Sequence, residues 1–192
     1  IQLDFQIPID ANDSETFILF DTDENIGNYT GIWSYVSLNT FACHYGGGNG
    51  AIGASNRRTK WKDMSFNAGQ WYNLALTIRG PTDMSLYVDG VDIEGDYDGY
   101  GGSIAYSNNK FVLGKYFENR TSGKIDNIAF WHDELTISEI QSYMNCSPTG
   151  NEEDLVGYWN FEEGQGNIVN DLSGNGSNGT INGAVYSAGT SQ

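Results

Sequence analysis

Positive charge is what this chain has least of: 9 Lys and Arg stand against 25 Asp and Glu in 192 residues, for a formal net charge of -16. Such a balance repels phosphate backbones and anionic bilayers at long range, so nucleic acid is not an expected partner. No stretch approaches eighteen consecutive apolar residues, which leaves nothing to insert as a membrane-spanning helix. Cysteine is nearly absent. Cys43 and Cys146 have no metal-like spacing, and the favoured reading is one long-range disulfide, with two unreactive thiols as the alternative. The two histidines, His44 and His132, sit in no triad context and form no His/Cys metal cluster. The first residue is Ile1, not Met, which reads as a piece of a longer, processed protein.

What the chain has in quantity is alternation. Short runs in which apolar and polar residues take turns, bounded by Gly, Asn, Asp and Ser, describe antiparallel strands joined by tight turns in a single domain spanning 1–192. Leu3, Phe5 and Ile7 form one run; Tyr72, Leu74, Leu76 and Ile78 form another, with Asn73, Thr77 and Arg79 pointing outward. Asp89-Gly90 between Leu86/Val88 and Val91/Ile93 is a hairpin signal. One short helix is predicted near residues 136–145, where Thr136 and Glu139 have capping-box spacing, Leu135 and Ile140 could staple, and Pro148 and Gly150 end it. The polar stretch 147–154 reads as a connector to a last β-like run, Leu155 to Phe161, and 167–183 reads as Gly- and Asn-rich surface loop.

Three motifs occur in order: Gln70-Trp71-Tyr72-Asn73-Leu74-Ala75, then Leu86-Tyr87-Val88-Asp89-Gly90, then Gly123-Lys124-Ile125-Asp126-Asn127-Ile128 with Trp131. Together they resemble the laminin-G-like, concanavalin A-like jelly-roll domains of bacterial secreted proteins. The resemblance implies an all-β fold of two antiparallel sheets and a place outside the cell; it implies function less firmly. Leu155 to Gly164, with Asp171-Leu172-Ser173-Gly174-Asn175-Gly176, looks like the opening strand and loop of such a domain, yet segment 155–187 lies at the C-terminal end. It either begins a following repeat or completes this sandwich. Docking is favoured, because the apolar face of Trp159 and Phe161 would be costly to expose. Related domains often carry a structural calcium, and the resemblance places it here at Asp126 and Asp171 with carbonyls around Gly174.

Candidate chemistry is thin for catalysis. Jelly-roll glycoside hydrolases need paired carboxylates on one strand face, and the nearest stretch, Asp89 to Glu94, crosses the expected hairpin turn. His44-Tyr45 suggests a uronate lyase only weakly. Binding features are more distinctive. Arg57, Arg58, Lys60 and Lys62 fall within six positions around Trp61, a patch suited to an anionic polysaccharide. Tyr97 and Tyr100 lie among glycines as stacking platforms, while Trp33, Tyr35 and Tyr45 border other turn-rich stretches. The expectation is a non-catalytic carbohydrate-binding module, calcium-stabilised, in a larger secreted or surface polysaccharide-degrading or adhesive protein. A protein-binding adhesion module, a jelly-roll hydrolase and a polysaccharide lyase are the alternatives.

Overall fold

Side chains along a strand point alternately to its two faces, so the runs just described can each bury one face only by pairing into sheets and stacking them. The computed structural model, which describes residues 1–22, 27–49, 53–106, 108–116 and 119–187, shows that solution. In chain order the strands are β1 (Gln2–Gln6), β2 (Phe17–Asp21), β3 (Ile32–Val36), β4 (Thr40–Gly46), β5 (Arg57–Asp63), β6 (Trp71–Gly80), β7 (Asp83–Val88) and β8 (Val91–Asp92). They continue with β9 (Asp96–Gly99), β10 (Val112–Leu113), β11 (Lys115–Tyr116), β12 (Asn119–Arg120), β13 (Lys124–Trp131), β14 (Leu155–Trp159), β15 (Ile168–Val169) and β16 (Gly179–Thr180). A helix, α1 (Ile137–Asn145), lies between β13 and β14.

One sheet has the order β14-β13-β1-β6-β7-β8 and the other β10-β2-β3-β4-β5-β9, with β11-β12 and β15-β16 as small hairpins. All pairings are antiparallel. This is the expected jelly-roll sandwich with one short helix. Its core joins Leu3, Phe5, Leu74, Leu86 and Ile128 of the first sheet to Phe17, Leu19, Phe41 and Tyr45 of the second. The Phe5 and Phe17 rings meet 6.2 Å apart.

The local signals are realised one by one. Asp89 and Gly90 take φ of 49° and 71°, the two positive values a tight two-residue hairpin turn requires, and they join β7 to β8. Thr136 accepts from the backbone N–H of Glu139 while the Glu139 carboxylate accepts from Thr136, the reciprocal cap that starts α1. The helix lies on the outer face of the first sheet, where Ile140 packs against Ala75 and Tyr87 and Trp131 stacks on Tyr143 at 4.8 Å.

One expectation is corrected. Cys43 and Cys146 are free: Cys43 is sealed in the core on β4, whereas Cys146 is exposed at the end of α1 on the far side of the first sheet. Strand alternation turns Cys43 inward, and burial pushes its thiol up to about 12.

The C-terminal segment joins the body through β14, which pairs with β13. Trp159 reaches the core rings Phe111 and Phe130, at 6.2 and 6.4 Å, and donates its indole N–H to the Ser177 carbonyl at 3.0 Å. The loop that follows is tied back to the same strand, because the Asn175 amide donates to the Leu155 and Val156 carbonyls, each at 3.1 Å.

Two measurements check this arrangement. Ending the chain at Asn151 removes the burial of Leu155, Tyr158 and Trp159, about 1.5–3 kcal/mol for a large side chain, from a domain whose whole stability is of order 5–15 kcal/mol. The shortened protein should unfold at markedly lower urea concentration than the full chain; equal midpoints would mean that β14 contributes nothing. Thiol titration of denatured, unreduced protein should count both cysteines, and a count of none would restore the disulfide.

Candidate functional site

The second sheet sends one set of side chains into the core and the other away from it. On β3, Val36 and Ser34 turn inward and Tyr35 and Trp33 outward; on β4, Phe41, Cys43 and Tyr45 turn inward and Ala42 and His44 outward. Register then lines the outward residues into rows. Tyr35 faces Ala42, Ala42 faces Trp61 and Trp61 faces Asp96; one row along, Trp33 faces His44, His44 faces Thr59 and Thr59 faces Asp98. Ala42 has no bulk, so Tyr35 and Trp61 flank it from strands roughly 9–10 Å apart, two inter-strand spacings.

The rings on this face form a ladder. Tyr29 lies 5.0 Å from Trp33, Trp33 stacks on His44 at 5.2 Å with planes 7° apart, and Tyr35 stacks on His44 at 5.2 Å. Gly46 makes the near end possible, since a Cβ there would collide with the backbone of Tyr29, which closes over β4. Two polar side chains are locked beside the rings. His44 Nδ1 is 2.8 Å from Thr59 Oγ1, and Arg57 Nη2 donates to Asp98 Oδ2 at 2.8 Å. His44 Nε2 and Arg57 Nε are sealed from solvent and have no partner. Burial lowers the His44 imidazole to about 3, helped by the nearby Arg57 charge and partly opposed by Asp98.

The basic run does not form one surface. Residues 57–63 are a strand, so Arg57, Thr59 and Trp61 face outward while Arg58, Lys60 and Lys62 alternate to the other side. Lys60 is buried, with Nζ 4.3 Å from the Tyr97 ring centre, and Arg58 sits 4.8 Å from the same ring while donating to the carbonyls of Pro81 and Gly99. Tyr97 is therefore no open platform. Its ring packs against the core between two cations, and its hydroxyl bonds the Met84 N–H at 2.8 Å. Tyr100 is 84% exposed but stands apart from the ring ladder, in the loop after β9. Of the residues expected to hold a ligand, Arg57 and Trp61 reach the outer face; Trp33 and Tyr35 join them, together with His44, Thr59 and Asp98.

The calcium expected at Asp126, Asp171 and Gly174 does not fit the residues present. One Asp171 oxygen accepts from the N–H groups of Tyr158 and Ser173 and from the Ser173 hydroxyl, the other from the Ser177 N–H, all within 3.1 Å. These four donors take up most of the carboxylate's acceptor sites. Partial burial works to raise the Asp171 carboxyl, but these donors outweigh it and hold it below the usual range. Asp126 is buried opposite Asp4 and accepts from the Asn127 N–H, and Gly174 is an exposed turn with φ 80°. Among the described residues no group of three or more His, Cys, Asp or Glu side chains is placed to hold a metal ion.

Catalytic geometry is equally unfavourable. Asp89 sits in the hairpin turn, Asp92 accepts from the Glu94 N–H, and Glu94 has φ 58°, so these carboxylates do not line one strand face. Asp98, beside the rings, is held below the usual range first by its hydrogen bond from Arg57, whereas a general acid needs the opposite shift.

A laminin G family model, described as the concanavalin A-like lectin/glucanases superfamily, matches residues 6–141. No curated protein matches the chain.

The buried imidazole predicts an acid sensitivity. Folded His44 stays neutral down to about pH 3, while an unfolded histidine protonates near its ordinary value of 6.5. Between those values the unfolded state binds the extra proton, so stability falls as pH falls through this window. From pH 7 to pH 4 the wild type should lose about 3 kcal/mol more than a His44→Gln variant in urea unfolding, at 1.36 kcal/mol per pKa unit. Equal losses in the two proteins would show that His44 is not held neutral.

Proposed function

The chain belongs to the concanavalin A-like lectin/glucanase superfamily, and we propose that it is a non-catalytic carbohydrate-binding module that holds its glycan on the outer face of the second sheet. The observation that carries this reading is the coincidence on one face of two part-exposed rings, Tyr35 and Trp61, with the Arg57–Asp98 pair, all braced from beneath by the buried stack of Trp33 on His44. The C–H faces of a sugar stack on aromatic rings, and its hydroxyls need both donors and acceptors, which Arg57 and Asp98 supply side by side. Rings on neighbouring strands repeat at fixed spacing, which favours an extended chain over a single compact sugar. Such a module works by holding a larger secreted or surface-anchored protein, adhesive or polysaccharide-degrading, against its polymer.

Affinity electrophoresis through soluble polysaccharides, followed by calorimetry on those that retard the protein, tests the proposal. Trp61→Ala and Tyr35→Ala should each weaken binding about tenfold, equivalent to 1.4 kcal/mol, with melting temperature little changed. Tyr100→Ala should bind as the wild type. Reducing-end and unsaturated-product assays should detect no turnover. A double Tyr35/Trp61 variant that binds normally would remove the outer face as the site, and polymer cleavage would make the domain an enzyme.

A further inference from the structure

We propose that the glycan held on this face is electrically neutral and that one of its hydroxyl groups lodges between Arg57 and His44; the inference rests on the glycan-binding reading just given. Two polar atoms, His44 Nε2 and Arg57 Nε, are sealed from solvent without a partner. Buried polar groups are almost always satisfied, so each exception asks for an explanation, and two on adjoining strands ask for a common one. They are neighbours by register: Arg57 faces Gly46, and His44 lies two positions from Gly46 on the same face of β4. The far side of each group is already fixed, His44 through Nδ1 on Thr59 and Arg57 through Nη2 on Asp98.

The chemistry of the two atoms selects the occupant. An arginine Nε–H can only donate, whereas His44 Nε2 donates or accepts according to which ring nitrogen carries the proton, Thr59 serving Nδ1 in either role. A hydroxyl satisfies both atoms in either tautomer, its oxygen accepting from Arg57 while it gives a proton to Nε2 or accepts one from it. A carboxylate or sulfate ester, having no proton, serves one tautomer alone. Charge points the same way. Asp63, Asp96 and Asp98 stand on the outward face against Arg57, whose charge Asp98 already pairs, and Arg58, Lys60 and Lys62 alternate to the opposite side. The chain as a whole carries -16, so the field at this face turns anionic polymers away. The Arg57 side chain is 29% exposed, and admitting the hydroxyl requires it to shift.

The test is affinity electrophoresis of the full chain through a mixed-linkage β-glucan, a galactomannan and a xylan, and through alginate and chondroitin sulfate, in 20 mM and in 300 mM sodium chloride. At least one neutral polymer should retard the protein with less than a twofold change between the two salts, and neither anionic polymer should retard it. Arg57→Lys keeps the charge but loses the Nε–H, and His44→Phe keeps the ring stack but loses both nitrogens; each should weaken neutral-glycan binding at least tenfold. Arg57→Lys guards against a His44 variant that fails to fold, which melting curves would reveal. Salt-sensitive retardation by alginate or chondroitin sulfate alone would overturn the neutral class while leaving the glycan-binding face standing. Full binding of a neutral polymer by Arg57→Lys would overturn the hydroxyl site. Retardation by none of the five polymers would count against the glycan-binding reading itself as well as this inference.

Discussion

The pleat governs this molecule. Every strand of a two-layer sandwich has to give one side chain to the core and the next to the other face, and the register of each pairing then fixes which outward residues become neighbours. On β5 that constraint divides a compact cluster of cations between two surfaces. On β3 and β4 it assembles Trp33, Tyr35 and His44 into one stack, although β3 and β4 are each half core. A one-residue slip of β4 would turn His44 inward and Phe41, Cys43 and Tyr45 outward, so the core and the outer face enforce each other.

His44 shows how that coupling is tolerated. An imidazole stacked between two rings and cut off from water is held neutral, and its neutrality is a stability term as well as a chemical one. Thr59 fixes the ring orientation from one side. Arg57, drawn toward Asp98, keeps its charge from being an uncompensated burden on the same face. The outer face is therefore set by groups that the core registers into place.

Much of the architecture is legible in the amino-acid order because its signals are local. The Asp89-Gly90 turn, the Thr136/Glu139 cap and the apolar alternation of β1 and β6 each occupy a few consecutive residues, and each has one low-energy answer. The outer face proposed to bind is not local. Its residues come from positions 29 to 98 and meet only through the pairing of β3, β4, β5 and β9. Residues 57–63 are too charged to announce a strand, so Arg57, Arg58, Lys60 and Lys62 look like one patch until alternation is imposed. Reading Arg-x-Thr-x-Trp and Trp-x-Tyr at period two would have pointed to the right set. The disulfide is absent because Cys43 is turned into the core, and the Asp171 carboxylate is engaged by backbone N–H groups of its own loop and of β14.

A sheet is only as solitary as its outermost strands. Here the first sheet ends at one side on β8, two residues long, and the second on β10, also two, and on β9, which carries Asp96 and Asp98. The remaining border, β14, has its Leu155 and Val156 carbonyls occupied by the Asn175 side chain. None of these borders offers a long, bare ladder for another chain to extend. Copies of such a domain can be crowded together, or strung in tandem, without fusing edge to edge into aggregates.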